Sequence, residues 1–237
     1  MTIFSQLDED ILFPSGDGKP MADNTEQYRW IVIIKENLEI IFAAFDDVFI
    51  AGDLLWYPVR SQLVSPTAPD VMVVFGRPKA KRRSYRQWNE DNIPPQVVFE
   101  ILSRSNDTDE MSRKLEFYNT YGVDEYYIYD PESFQLDGWL RQNGNLNKLW
   151  QMEGWVSPRL GIRFETSQGE LVIYRPDGQR FLNSIEQEEQ KQQQYQRAEQ
   201  EHQRAEQAEL LLQQERQRAE QLAAYLRNLG IDPENLP

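Results

Sequence analysis

The sequence predicts an α/β domain followed by a long helical tail, and three observations carry that prediction. Two short apolar runs, APDVMVVFG (68–76) and PQVVFEILS (95–103), lack polar alternation, as strands covered on both faces do. The second leads through a polar turn into the segment TDEMSRKLEFYNTYG and then into another apolar run, VDEYYIYDP, a strand-helix-strand unit suited to a parallel crossover. Beyond Ser184 the composition turns abruptly to Gln, Glu, Arg and Ala, with QRAEQ recurring at residues 196, 203 and 217, spacings that suit a heptad-like helix.

In chain order, residues 1–24 read as an irregular arm, because Pro14, Gly16, Gly18 and Pro20 break any period. The stretch TEQYRWIVIIKENLEIIF opens with Thr25 in an N-cap context and is apolar around most of its circumference, which predicts a well-buried helix. VFIAGDLLWY (48–57) predicts a strand with a bend or bulge at Gly52 and Asp53, ended by Pro58. The two apolar runs follow as central strands. The helix after the SRSND turn carries Met111, Leu115 and Tyr118 on one stripe and stops at Gly122. From Gln135 to about Arg180, Asn143-Gly144, Gln168-Gly169 and Asp177-Gly178 punctuate short β-like runs as hairpin turns. The expected organisation is an arm (1–24), a globular domain (25–182) and a helical tail (183–237). The apolar seam of that tail is weak except near Leu222, Leu226 and Leu229, so a coiled-coil dimer and a solvated single helix are both compatible with it.

Composition narrows the chemistry. The chain has no cysteine and a single histidine, His202, in the Gln/Glu-rich stretch, which rules out disulfides, thiolate zinc sites, histidine triads and histidine-based metal sites. The N-terminal sequence lacks a signal peptide's basic region and apolar core, and no run approaches a membrane span, so a cytoplasmic location is expected. A net charge of −14 means that any nucleic-acid contact must come from a local patch.

QVVFEILS places an ionisable Glu100 in the middle of an apolar strand. In an extended chain Gln96, Val98, Glu100 and Leu102 share a face. The earlier strand opens with Asp70, directly after Pro69, so two carboxylates stand on strands that can be sheet neighbours. Two buried carboxylates are costly unless a cation neutralises them, and oxygen-only ligands favour the hard ion Mg²⁺ (or Mn²⁺). Such a site suits phosphodiester hydrolysis, because the ion acidifies a bound water and stabilises charge on phosphate oxygen. Lys114, on the sheet-facing stripe of the following helix, completes the set as an orienting or charge-stabilising cation. Taken singly, each residue has a plain structural reading: a strand start, a paired glutamate and a snorkelling lysine.

The stretches APDVMVVFG, PPQVVFEILSRSND and MSRKLEFYNTYGVDEYYIYDP together resemble the large cyanobacterial family of Uma-type putative restriction endonucleases, within the PD-(D/E)XK nuclease superfamily. The resemblance covers roughly residues 25 to 182. It implies a restriction-endonuclease-like mixed sheet flanked by helices, presenting Asp70 and Glu100 to a divalent metal with the carbonyl of Ile101 as a further ligand. One position departs from the superfamily pattern: two residues after Glu100 stands Leu102, where the motif has lysine. In some members that lysine comes from the adjacent helix, where Lys114 stands here.

RPKAKRRSYRQW (77–88) offers Lys79, Lys81, Arg82, Arg83 and Arg86 for phosphate contacts, with Tyr85 and Trp88 as stacking faces, or else forms a solvated loop. Asp53 could join the carboxylate cluster or bridge a bend, and Gln96 could hydrogen-bond within the site. The expected function is a metal-dependent DNA endonuclease acting as a homodimer. The alternative is a degenerate nuclease-fold module, favoured by Leu102, that binds DNA or a protein and oligomerises through its tail.

Overall fold

The computed structural model describes residues 9–16, 18, 20–103, 108–167, 169–228 and 230. A first compact unit ends at Asn183 and a second begins at Ser184. Residues 9–12 of the expected irregular arm are helical. The long helix α1 (Thr25–Ile41) is capped by Asn24, whose side chain accepts the Gln27 N–H at 2.8 Å, so the cap lies one residue before the expected Thr25. Its buried stripe of Trp30, Ile31, Ile34 and Leu38 has the spacing of a helix laid on a sheet.

The sheet has six strands in the order β1-β3-β5-β6-β7-β8, where β1 is Val48–Gly52, β3 Val71–Phe75, β5 Val97–Ile101, β6 Glu125–Asp130, β7 Gln135–Gln142 and β8 Asn145–Lys148. All neighbours are antiparallel except β5 and β6, which run parallel. The crossover between that pair is α2 (Thr108–Tyr121), as the strand-helix-strand pattern requires. A mixed α/β sheet flanked by helices is therefore the architecture. The expected hairpin at Asn143-Gly144 joins β7 to β8, with both residues at positive φ (53° and 86°).

The run 48–57 is not one bent strand. Asp53 adopts a left-handed conformation (φ 46°), which turns the chain out of β1, and Trp56–Tyr57 forms a separate strand, β2. This strand pairs in parallel with β4 (Tyr85–Arg86) outside the main sheet. A third sheet pairs β9 (Arg163–Glu165) with β10 (Val172–Tyr174).

Strand parity sorts the core into two layers. Val71, Val73, Val97, Phe99, Ile101, Tyr127 and Tyr129 pack with α1, Phe164 and Ile173. Met72, Val74, Val98 and Tyr126 pack on the other side with Tyr118, Val123 and Trp56. Every residue of β5 is buried, so both faces of this strand are covered, which is why it reads as a continuous apolar run. The tail forms one helix, α3 (Ser184–Asn228), with no buried residue. Among the described residues no helix is long and apolar enough to cross a membrane.

Candidate active site

The register of β3 against β5 builds the site. Val71 stands opposite Phe99, so the next step outward along the antiparallel pair sets Asp70, one residue before the strand begins, against Glu100. Both share the face covered by α2 and both are buried, at 7% and 2% exposure. The ladder is extended by a side chain, because the Ile101 N–H donates to Asp70 Oδ2 at 2.6 Å.

Glu100 is held at both oxygens by α2. Lys114 Nζ donates to Oε2 at 2.8 Å and the Tyr118 hydroxyl donates a short bond to Oε1. The two donors are four residues apart on one helical stripe, the spacing that puts successive turns over the same spot. On the opposite face Gln27, in the first turn of α1, donates from Nε2 to the Ile101 carbonyl at 3.0 Å and accepts the Asp23 N–H at 2.8 Å. Asp70, Lys114 and Gln27 border a cavity of about 760 Å³, with Asp53, Glu110 and Arg113 also on its wall.

The electrostatics follow from burial. Desolvation, reinforced by the charge of Glu100, pushes the Asp70 carboxyl up to about 8, against the opposing effect of the Ile101 N–H and Lys114. Burial alone would lower the Lys114 pKa, but the charge and hydrogen bond of Glu100 outweigh it and the value is raised. Lys114 is thus a cation at neutral pH, fitted to stabilise charge and not to accept a proton. Burial and the Glu100 charge raise the Tyr118 phenol well above its usual value, so it remains a hydrogen-bond donor.

Asp70, Glu100, the Ile101 carbonyl and Lys114 are therefore brought together. Asp53 joins them at the cavity wall, its N–H reaching the carbonyls of Pro69 and Asp70 at 3.1 and 3.3 Å. Gln96 does not. It lies at the other end of β5, where its Oε1 accepts the Phe75 N–H at 2.7 Å, because strand parity sets the face but not the position along it.

The basic segment is engaged within the protein. Arg82 is bound to Glu90 through Nε at 2.6 Å and lies over the Phe49 ring, and Lys79 donates to the Phe42 carbonyl at 2.6 Å. Arg83 and Arg86 pair with Asp10 of the arm, while Lys81 is exposed. Tyr85 is fully buried and Trp88 packs against Phe13, so neither matches the expected open stacking face.

Residues 34–162 match the Uma2 family, described as a putative restriction endonuclease, and this span is more than half of the chain. The chain belongs to the Uma2 family. A crystal structure of a putative nuclease belonging to DUF820 from Anabaena variabilis ATCC 29413 is similar, with 14% sequence identity and a TM-score of 0.45, covering 64% of this chain and 87% of that one. No curated protein matches. The Uma2 match includes Asp70, Glu100, Ile101, Lys114 and Tyr118, but Gln27 lies outside it.

Two residues of this Uma2 chain's site, Gln27 and Tyr118, were not assigned to it from the sequence. Tyr118 carried a signal, since it shares the sheet-facing stripe with Lys114 at a spacing of four. Gln27 carried none, because only the packing of α1 across the sheet brings it to Ile101.

Proposed function

We propose that this Uma2 protein is a metal-dependent DNA endonuclease in which Asp70, Glu100 and the carbonyl of Ile101 hold Mg²⁺ or Mn²⁺. The observation that carries the reading is the Lys114 ammonium 2.8 Å from Glu100 Oε2, beside Asp70. It supplies from α2 the cation that Leu102, one residue beyond β5, cannot supply.

The donor set fits a hard divalent ion. Among the described residues no group of three or more His, Cys, Asp or Glu could hold a metal. Two carboxylates and a carbonyl nevertheless suffice for Mg²⁺, which keeps several of its waters. When bound, such an ion acidifies water and stabilises charge on phosphate oxygen. The rest is the chain's own work. Lys114 stabilises negative charge developing at the phosphate and orients the attacking water. Tyr118 and Lys114 fix both oxygens of Glu100, and Gln27 fixes the Ile101 carbonyl, so the donors are held in place before substrate arrives. The cavity beside Asp70 gives the phosphodiester its access.

We also propose that the protein acts as a homodimer through α3, where Leu210, Leu211, Leu212, Leu222 and Tyr225 are exposed. Two copies would suit cleavage of both strands. The experiment for the activity is Mg²⁺ or Mn²⁺ titration with a DNA-cleavage assay on wild type, Asp70→Ala and Lys114→Ala. Cleavage by wild type that both substitutions abolish is the expected result; equal activity in wild type and Asp70→Ala overturns the reading.

A further inference from the structure

The N-terminal arm places acids on arginines. Glu9 pairs with Arg60 at 2.8 Å and approaches Arg86 at 3.5 Å, and Asp10 pairs with Arg86 at 2.6 Å and Arg83 at 3.3 Å. The arginines come from three places in the chain, before β3, just before β4 and within it, and a two-residue acidic step brings them together. The arm is fixed by Phe13, buried against Tyr57 and Trp88, and by the Tyr57 hydroxyl donating to the Pro14 carbonyl at 2.7 Å.

This surface adjoins the active site. Ala68, two residues before Asp70, packs on the Phe13, Leu55 and Tyr57 cluster and also lines the cavity. The arm continues along the cavity wall as Pro20, Met21, Ala22 and Asp23 before α1 begins. Two features make the arrangement more than a static contact. Arg60 and Arg83 keep 64% and 77% of their side-chain surface exposed while paired, so their ion pairs are screened by solvent and readily exchanged. Arg86 keeps a buried Nε with no hydrogen-bond partner among the described residues, so the arm does not satisfy its guanidinium fully.

Resting on the endonuclease reading, we propose that Arg60, Arg83 and Arg86 are the backbone-phosphate contacts for DNA, and that Glu9 and Asp10 occupy them in the free protein. Carboxylates and phosphates compete for the same guanidinium geometry, and a polyanion gains counterion release that the arm does not. In a chain of net charge −14, a basic surface covered by its own acids also limits capture of unrelated polyanions.

The test is duplex-DNA affinity by fluorescence anisotropy across a KCl series, with Ca²⁺ in place of Mg²⁺, on the full chain. Glu9→Gln with Asp10→Asn is expected to tighten binding by roughly three-fold or more and to steepen the salt dependence. Arg60→Ala and Arg83→Ala, both on exposed side chains, should each weaken binding and reduce the slope by about 1. The gain from the arm substitutions should vanish in the Arg60→Ala, Arg83→Ala background, whereas Glu199→Gln with Glu201→Gln, an equal charge change at exposed positions of the tail, should give no such gain. Unchanged affinity in the arm variant, a gain matched by the Glu199→Gln, Glu201→Gln variant, or a gain that survives loss of the arginines overturns the proposal. If DNA is bound and cleaved while these variants behave as wild type, this inference fails and the endonuclease reading stands. If no variant binds or cleaves DNA, both fail.

Discussion

Asp70 Oδ2 accepts the N–H of Ile101 at 2.6 Å, while the residue before Ile101 is the other acid of the site. One backbone amide is the strongest opposition to a proton on Asp70, and it does not prevail over burial and the Glu100 charge.

Stability of the metal-free protein should therefore fall as pH rises. The folded-state Asp70 pKa of about 8 lies above the ordinary carboxyl value of 3.8, so between these pH values the native state holds a proton that the unfolded state has lost. The stabilisation is complete below about pH 4 and is lost through pH 8, with this group contributing at most about 1.4 kcal/mol per pH unit. Thermal denaturation from pH 5 to 8.5 should show a Tm decline that Asp70→Asn flattens and that saturating Mg²⁺ reduces. A wild-type Tm slope unchanged by Asp70→Asn refutes the assignment.

Lys114→Ala leaves Glu100 buried with its cation gone. A cost of about 3–5 kcal/mol is the scale for one partner of a buried pair, at the lower end here because Lys114 keeps some exposure. Turnover should fall by about 100-fold or more. Leu102→Lys in that background restores a lysine on the Glu100 face of β5, and recovery of cleavage above the Lys114→Ala level is expected. Chemical denaturation and single-turnover cleavage separate the two effects.

Tyr118→Phe removes one hydroxyl and keeps the ring that stacks on Trp56 and meets Tyr126 edge to face. Glu100 Oε1 then loses its donor, which should cost about 1–3 kcal/mol. Calorimetric titration should find weaker Mn²⁺ binding, with DNA affinity in Ca²⁺-free buffer unchanged. Equal Mn²⁺ affinity in the variant and wild type would assign the hydroxyl to folding alone.

The sequence made the acids legible because strand parity is a local property: Asp70 and Glu100 each sit in an apolar run where a charge needs a reason. Lys114 was legible because helical spacing put it on the sheet-facing stripe. Where position along an element or a distant partner decides the outcome, and not face, the local pattern is silent. Gln96 shares the Glu100 face but sits near Phe75. Arg83 and Arg86 looked unpaired because their partners, Glu9 and Asp10, lie more than seventy residues away in the chain, beyond the reach of any local pattern. Asp53 was read as a bend within one strand, whereas its positive φ separates β1 from β2 into different sheets.

Gln27→Leu should weaken metal binding by freeing the Ile101 carbonyl, and should cost about 1–3 kcal/mol of stability for the buried acceptor left unpaired. Mn²⁺ titration with circular dichroism as the control checks this. Retained wild-type affinity would remove Gln27 from the site.

The direct pairing of β3 with β5 has an evolutionary consequence. The acids are aligned by the Val71–Phe99 rung, and everything from Gly76 to Gln96 is an excursion leaving and rejoining the same ladder. Insertions, deletions or wholesale replacement of the tip of that excursion leave the rung untouched. The loop can therefore vary what it contacts without retuning the chemistry, while a one-residue slip within either strand would turn that strand's own acid away from α2 and break the pair.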